Sequence, residues 1–175
     1  MERRLRVFAV LTALAMIGWL SGCAKESPMD DGPDITEAQA TARAEDLIHT
    51  VLVGVTPAPG MDLISTSPGS QTCLPDEGNT PTGKVYVIRK YYLTGIPKDR
   101  IVEAARQIQA NWKKAGHRIT NEYAFDMGEP QLSGRTGDDF RLALDTVERD
   151  STPQILLSVG SPCFRPDKPS PSSSL

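Results

Sequence analysis

The spacing of apolar side chains predicts two amphipathic helices. The first begins at Thr36 and Gln39, which have the S/T-x-x-E/Q arrangement of a capping box. Apolar residues then recur three and four positions apart, as one face of a helix requires, until Gly54 can end the helix. This face comprises Ala40, Ala44, Leu47, Ile48, Val51 and Leu52.

The second predicted helix has Pro97 in its first turn and Gly116 just beyond its end. Its apolar face comprises Ile101, Ala105, Ile108, Trp112 and Ala115. The two helices are separated by residues 55–83, which are rich in Pro, Gly, Ser and Thr, and by residues 84–93. The composition of residues 55–83 predicts a long loop, in which residues 61–64 could add a short edge strand. The β-forming residues of 84–93 predict the strongest strand of the chain.

Alternating apolar and polar residues predict three more strands after the second helix. Residues 117–125 alternate as a half-solvated strand does, with Ile119, Tyr123 and Phe125 on the buried side. Residues 126–137 contain four Gly or Pro residues and predict a loop. Residues 140–145 and 154–159 alternate again across a polar turn, so we expect a hairpin.

This order of elements predicts an α+β fold. A strand, helix, strand unit followed by a meander favours a two-layer sandwich, with about four mostly antiparallel strands and both helices on one face. We expect a single domain over residues 34–164. The Pro- and Ser-rich residues 165–175 have too little apolar surface to fold and are expected to be disordered.

The first residues have the organisation of a secretory signal. Arg3, Arg4 and Arg6 precede an uncharged apolar stretch over residues 7–20. This stretch of about fourteen residues is shorter than the roughly twenty that a transmembrane helix needs. A cleaved signal over residues 1–22 is therefore favoured over a permanent membrane span.

The residues that close this stretch, Leu20-Ser21-Gly22-Cys23, resemble the lipobox of bacterial lipoproteins. The resemblance implies that Cys23 is lipidated and becomes the first residue of the mature chain, with residues 23–33 as a flexible tether. The protein is then held at the extracytoplasmic face of the cell membrane by its lipid. The order of elements and the closing Ser161-Pro162-Cys163 are also similar to small actinobacterial lipoproteins of unknown function, a likeness that implies no activity.

With Cys23 committed to lipid, Cys73 and Cys163 remain as an even pair in a compartment where disulfides persist. A disulfide between them is the simplest prediction. A metal site or a reactive thiol pair are the alternatives, but the chain has no C-x-x-C motif, and His49 and His117 lie in patterns that do not place them beside these cysteines. No cofactor is predicted.

The net charge of the chain bears on which classes of molecule it can bind. Residues 1–22 carry three of the 19 basic residues and one of the 22 acidic residues, which leaves the mature chain with a net charge of −5. An acidic chain lacks the attraction to phosphates that gives nucleic-acid binding proteins most of their nonspecific affinity. Nucleic acid is therefore not an expected partner, whereas the membrane, through the lipid, is.

Three functions are compatible with this sequence. The first is a non-catalytic module that binds an envelope protein, a cell-wall component or a lipid. The second is an envelope hydrolase that cleaves cell-wall glycan through carboxylates such as Glu122, Asp138 or Asp139, although the chain has no G-x-S-x-G or H-E-x-x-H motif. The third is a carrier of a small molecule or lipid in a pocket beside the sheet. The first is preferred because no catalytic motif is present.

Overall fold

The structure is a computed structural model that describes residues 32–64, 70–74 and 83–166. Within these ranges the chain forms two α-helices and seven β-strands. The helices are α1 (Glu37–Leu52) and α2 (Ile101–Lys114), and α2 is preceded by a short 3-10 turn. The strands are β1 (Gly60–Leu63), β2 (Ser70–Thr72), β3 (Val85–Thr94), β4 (Arg118–Tyr123), β5 (Gln131–Arg135), β6 (Arg141–Arg149) and β7 (Thr152–Gly160).

The strands form one antiparallel sheet in the order β1-β3-β7-β6-β5-β4. The short strands β1 and β2 pair with different halves of the same edge of β3. Strands β4 to β7 form the predicted meander, which returns the chain to the other edge of β3. Helix α2 therefore carries the chain from β3 across the sheet to the far edge.

The α+β class is confirmed, but the prediction of about four strands is wrong. Strand β1 corresponds to the short edge strand predicted for residues 61–64, whereas the three-residue β2 lies in the Pro- and Gly-rich segment that predicted only a loop. Strand β5 lies inside the predicted loop over residues 126–137. Its Gly134 disguises it, because glycine is typical of turns although it can occupy a strand where another group approaches closely.

The core lies between the helices and one face of the sheet. The predicted face of α1 is buried except for Leu52, and all of the predicted face of α2 is buried except for Ala115, which follows the last helical residue and is exposed. The sheet contributes alternate residues to this core: Val87, Tyr91, Leu93, Leu132, Leu142, Leu144, Ile155, Leu157 and Val159.

One predicted core residue of β4 points elsewhere. Tyr123 is 58% exposed, whereas Ile119 is half-buried and Phe125 is buried. The register of β4 against β5 shifts between Ile119 and Asn121. A bulge adds one residue to a strand, so side chains beyond it change face and simple alternation fails.

The structure brings Cys73 and Cys163 to disulfide distance, with their Cα atoms 6.3 Å apart. Cys73 follows β2, and Cys163 follows β7. The backbone of Val85, at the start of β3, pairs with Thr72 on one side and with Phe164 on the other. The disulfide therefore crosses the beginning of β3 and holds both of its neighbours.

Cys23, the lipobox and most of the predicted tether and tail lie outside the described residues. Neither described helix is long and apolar enough to cross a bilayer.

Candidate functional site

The helices cover only one face of the sheet. All described elements lie within the sheet or on the helical side, so the other face carries no further layer; we call it the open face. Its apolar members are half-buried, apart from the exposed Tyr123 of β4. The half-buried members are Tyr86, Ile88 and Tyr92 of β3, Ala143 and Val147 of β6, and Leu156 of β7.

Three arginines lie side by side at one end of the open face. Arg118 of β4 is opposite Arg135 of β5, which is opposite Arg141 of β6. Neighbouring strands are about 4.8 Å apart, so these three residues form a continuous row about 10 Å long. We call it the arginine row.

The arginine row carries more positive charge than its described partners neutralise. The Arg135 side chain donates a hydrogen bond to Asp139 over 3.0 Å, whereas the guanidinium groups of Arg118 and Arg141 have no hydrogen bond or ion pair among the described residues. Like charges directly opposite each other destabilise a sheet. By Coulomb's law in water at about 5 Å, each adjacent pair costs on the order of 1 kcal/mol or less.

A hollow lies in the open face beside Arg141. It has a volume of about 380 Å³ and is bordered by the Cys73–Cys163 disulfide. Its walls include the apolar side chains of Leu74, Tyr86, Ile88 and Ala143. The charged end of the row therefore adjoins a recess whose walls are partly apolar and partly polar, the polar part including Ser158 and Ser161.

Gly160 of β7 lies in that recess between Arg141 and Ile88, its partners on the two neighbouring strands. A Cβ atom at Gly160 would meet no atom closer than the carbonyl oxygen of Val87, 3.9 Å away. The backbone at this position therefore has room for a side chain. Because none is present, the recess remains open.

Arg141 also borders two further hollows. One, of about 390 Å³, includes Thr120, Ser133 and Arg135. The other, of about 520 Å³, includes Gly32, where the described chain begins, and Cys163. Arg141 is thus shared by all three hollows at this end of the sheet.

Two of the predicted candidate carboxylates, Asp138 and Asp139, line the same hollow of about 520 Å³ beside Arg135 and Arg141, whereas Glu122 is not among its lining residues. Glu122 accepts hydrogen bonds from Arg106 and from Gln109 on α2, and these bonds hold its pKa below the ordinary value. Burial opposes ionisation of Asp138, but a hydrogen bond from Arg43, 2.9 Å long, helps to lower its pKa. Each of these carboxylates therefore binds a neighbouring element as an anion.

A general acid needs a raised pKa, so the lowered pKa values of Glu122 and Asp138 do not suit that role. The third candidate, Asp139, is engaged by Arg135. Another hollow, of about 750 Å³, lies at the other end of β6. Its carboxylates are Asp99, Glu129 and Glu148, none of which the sequence singled out.

The two histidines lie apart from the disulfide. His49 is exposed on α1. His117 is half-buried at the start of β4, and its Nε2 atom has no hydrogen-bond partner among the described residues. Burial lowers the pKa of His117, the positive charge of Arg43 lowers it further, and Asp138 opposes them. No group of three or more metal-ligating side chains occurs in the described ranges.

Neither the arginine row nor the recess is evident from the sequence. The three arginines are separated in sequence: Arg118 and Arg141 look like ordinary solvated strand positions, and Arg135 lies in the segment that predicts a loop. Only the register of three strands aligns them. Gly160 offered a weak signal, as a glycine at the end of an apolar strand pattern. Comparison with known proteins finds no matching family model, no matching curated protein and no matching solved structure.

Proposed function

We propose that this protein is a lipid-anchored extracytoplasmic protein whose domain binds an acidic envelope component through the open face, without catalysing a reaction. The lipobox at Leu20-Ser21-Gly22-Cys23 supports the anchor. The Cys73–Cys163 pair supports an oxidising compartment, because disulfides persist there and are rare in the cytosol.

The observation that carries the binding proposal is the arginine row on a sheet face that no described element covers. Sheets bury at least one face, and the second face of an antiparallel sheet is usually polar. Here the second face combines apolar side chains with an excess of positive charge, although the mature chain as a whole is acidic. A local field opposite in sign to the net charge favours an acidic ligand at that place.

The hydrolase hypothesis has less support. The candidates Glu122, Asp138 and Asp139 are each held in an ion pair. A hydrolase would have to use instead the carboxylates of the 750 Å³ hollow, Asp99, Glu129 and Glu148, and these residues form no recognisable catalytic motif. The binding module therefore remains the preferred function.

The anchor is tested by replacing the lipidated cysteine. We expect Cys23→Ser to abolish partitioning of the protein into the detergent phase of Triton X-114, because no acyl chains can be attached. Cys73→Ser is the matched control, since it removes a different cysteine and should still partition. Detergent partitioning that survives Cys23→Ser would contradict the anchor.

The binding face is tested by photo-crosslinking in cells. A photoreactive residue at Leu156, in the centre of the open face, should give a discrete adduct with an envelope component. The same residue at Ala110, exposed on α2, is the control and should not. An adduct formed from position 110 and not from position 156 would place the binding surface on the helices and refute the proposal.

A further inference from the structure

We infer that the arginine row and the recess beside Arg141 together bind the phosphate headgroup of an anionic lipid. The inference rests on the proposed function, because it names the ligand of the same open face. Three observations support it: the geometry of the row, the empty position at Gly160, and the place where the chain from Cys23 enters the domain.

The row suits a phosphate better than a carboxylate. Each guanidinium presents a planar fork of N–H donors that can hold two oxygen atoms. A carboxylate and a phosphodiester each offer two charged oxygens, but those of the tetrahedral phosphate diverge from each other, so that each can accept from a different arginine of the row. Arg135 and Arg141 lie on adjacent strands, and Arg118 extends the row by one more.

The recess accounts for the organic part of such a ligand. A phosphate held by Arg141 would have its substituent directed across Gly160, where no side chain stands in the way. Tyr86 and Ile88 border the space beyond. A volume of about 380 Å³ is that of a small ligand site, large enough for a glycerol or sugar and too small for two long acyl chains.

The entry of the chain places this end of the domain near the membrane. Gly32 packs so closely on Cys163 that a Cβ atom would collide with the cysteine carbonyl oxygen, and it borders the same hollow as Arg135 and Arg141. Gly32 lies nine positions after Cys23. Even fully extended, this stretch of chain spans only about 30 Å. A lipidated Cys23 therefore keeps the arginine row within reach of lipid headgroups.

The first experiment measures headgroup binding by calorimetry. The probe is glycerophosphoglycerol, the water-soluble headgroup of phosphatidylglycerol, titrated into the full lipidated chain in maltoside micelles. We expect binding that Arg141→Gln weakens about tenfold or more, since charge-assisted hydrogen bonds are among the strong ones. Arg141→Lys keeps the charge but loses the fork, and should fall between the two.

Lys114→Gln is the control, because it removes the same charge from an exposed position on α2. It should bind as the unsubstituted protein does. Failure of the unsubstituted protein to bind the probe at millimolar concentration, or an equal loss in Lys114→Gln and Arg141→Gln, would overturn the inference.

A second variant tests the recess separately from the charge. Gly160→Val fills the recess while leaving the arginines in place. We expect it to weaken binding of glycerophosphoglycerol about tenfold and to leave binding of inorganic phosphate unchanged. Unchanged binding of both probes would show that the recess takes no part and would overturn that half of the inference.

The source of the phosphate is tested by competition. When one fifth of the micelle is phosphatidylglycerol, the site should already be occupied, and the heat of glycerophosphoglycerol binding should disappear. An unchanged titration would overturn the assignment to a lipid. The photo-crosslinked adduct at position 156 distinguishes this inference from the proposed function. If the adduct forms although glycerophosphoglycerol does not bind, only this inference fails. If neither the adduct nor binding is observed, the proposed function fails as well.

Discussion

Two strand glycines on opposite faces of the sheet should respond oppositely to the same substitution. Gly134 of β5 faces the core, where a Cβ atom would lie 3.2 and 3.3 Å from the ring of Trp112 and 3.0 Å from the carbonyl oxygen of Arg118. Gly160 of β7 faces the open side, where the nearest atom is 3.9 Å away. We predict that Gly134→Val destabilises the domain and that Gly160→Val does not.

The magnitudes follow from these distances. Overpacking a filled core costs typically about 1–3 kcal/mol, and Trp112 cannot yield easily because it is fully buried. Replacing a strand glycine raises the free energy of unfolding by roughly 0.5–1 kcal/mol at either position, because the unfolded chain then has less backbone entropy to lose. We therefore expect Gly134→Val to lower the free energy of unfolding by about 2 kcal/mol, and Gly160→Val to leave it unchanged or raise it by up to about 1 kcal/mol.

The assay is thermal and urea unfolding of the mature chain, followed by the fluorescence of Trp112. The only other tryptophan, Trp19, lies in the predicted signal segment, so the fluorescence reports on the core. For a domain of this size, about 2 kcal/mol lowers Tm by roughly 6–10 °C. Equal stability of the two variants would refute the assignment of the glycines to a packed and an open face.

Three further predictions concern the disulfide, His117 and the end of α1. Cys73→Ser should lower the free energy of unfolding by up to about 4–5 kcal/mol under oxidising conditions, because the disulfide closes a loop between residues 90 positions apart. A Tm that neither the mutation nor a reductant changes would contradict the disulfide. The pKa of His117 is lower in the folded state than its ordinary value of 6.5. Between these two pKa values the unfolded chain binds more protons than the folded chain does. The free energy of unfolding should therefore rise with pH up to about 7, and fall as the pH drops below 6.5. His117→Gln should flatten this slope in urea titrations while His49→Gln keeps it, and a slope retained by both would exclude His117 as the cause. Asn111 donates two hydrogen bonds of 2.9 Å to backbone carbonyls at the end of α1. Asn111→Ala should lower the free energy of unfolding by about 1–3 kcal/mol in urea, whereas Asn121→Ala, at an exposed position, should change it little. Equal effects of the two substitutions would show that these hydrogen bonds contribute nothing to stability.

The helices were predictable because their signals are local. The Thr36 hydroxyl accepts from the amide of Gln39, and the Gln39 side chain accepts from the amide of Thr36, as the capping-box sequence predicts. The same holds for the apolar face of α1, which needs only a spacing of three and four. These features depend on residues within one or two turns of each other.

The candidate site was not predictable, because it depends on register between strands distant in sequence. Nothing near Arg118 indicates that Arg135 and Arg141 lie beside it; two strand pairings settle that. Strand β5 was missed for a related reason. Gly134 looks like a turn residue until Trp112, from a different element, is seen to need the space that a side chain would fill.

The short strands β1 and β2, which share one edge of β3, affect how readily two copies of the domain could pair through their sheet edges. An exposed strand edge with unpaired amides can recruit a second copy of the same chain and start aggregation. Here the described sheet ends on one side in strands of three and four residues, and on the other in the bulged β4. Short and bulged edges resist such pairing. For a protein confined to a membrane plane, as we propose, this would keep closely spaced copies separate.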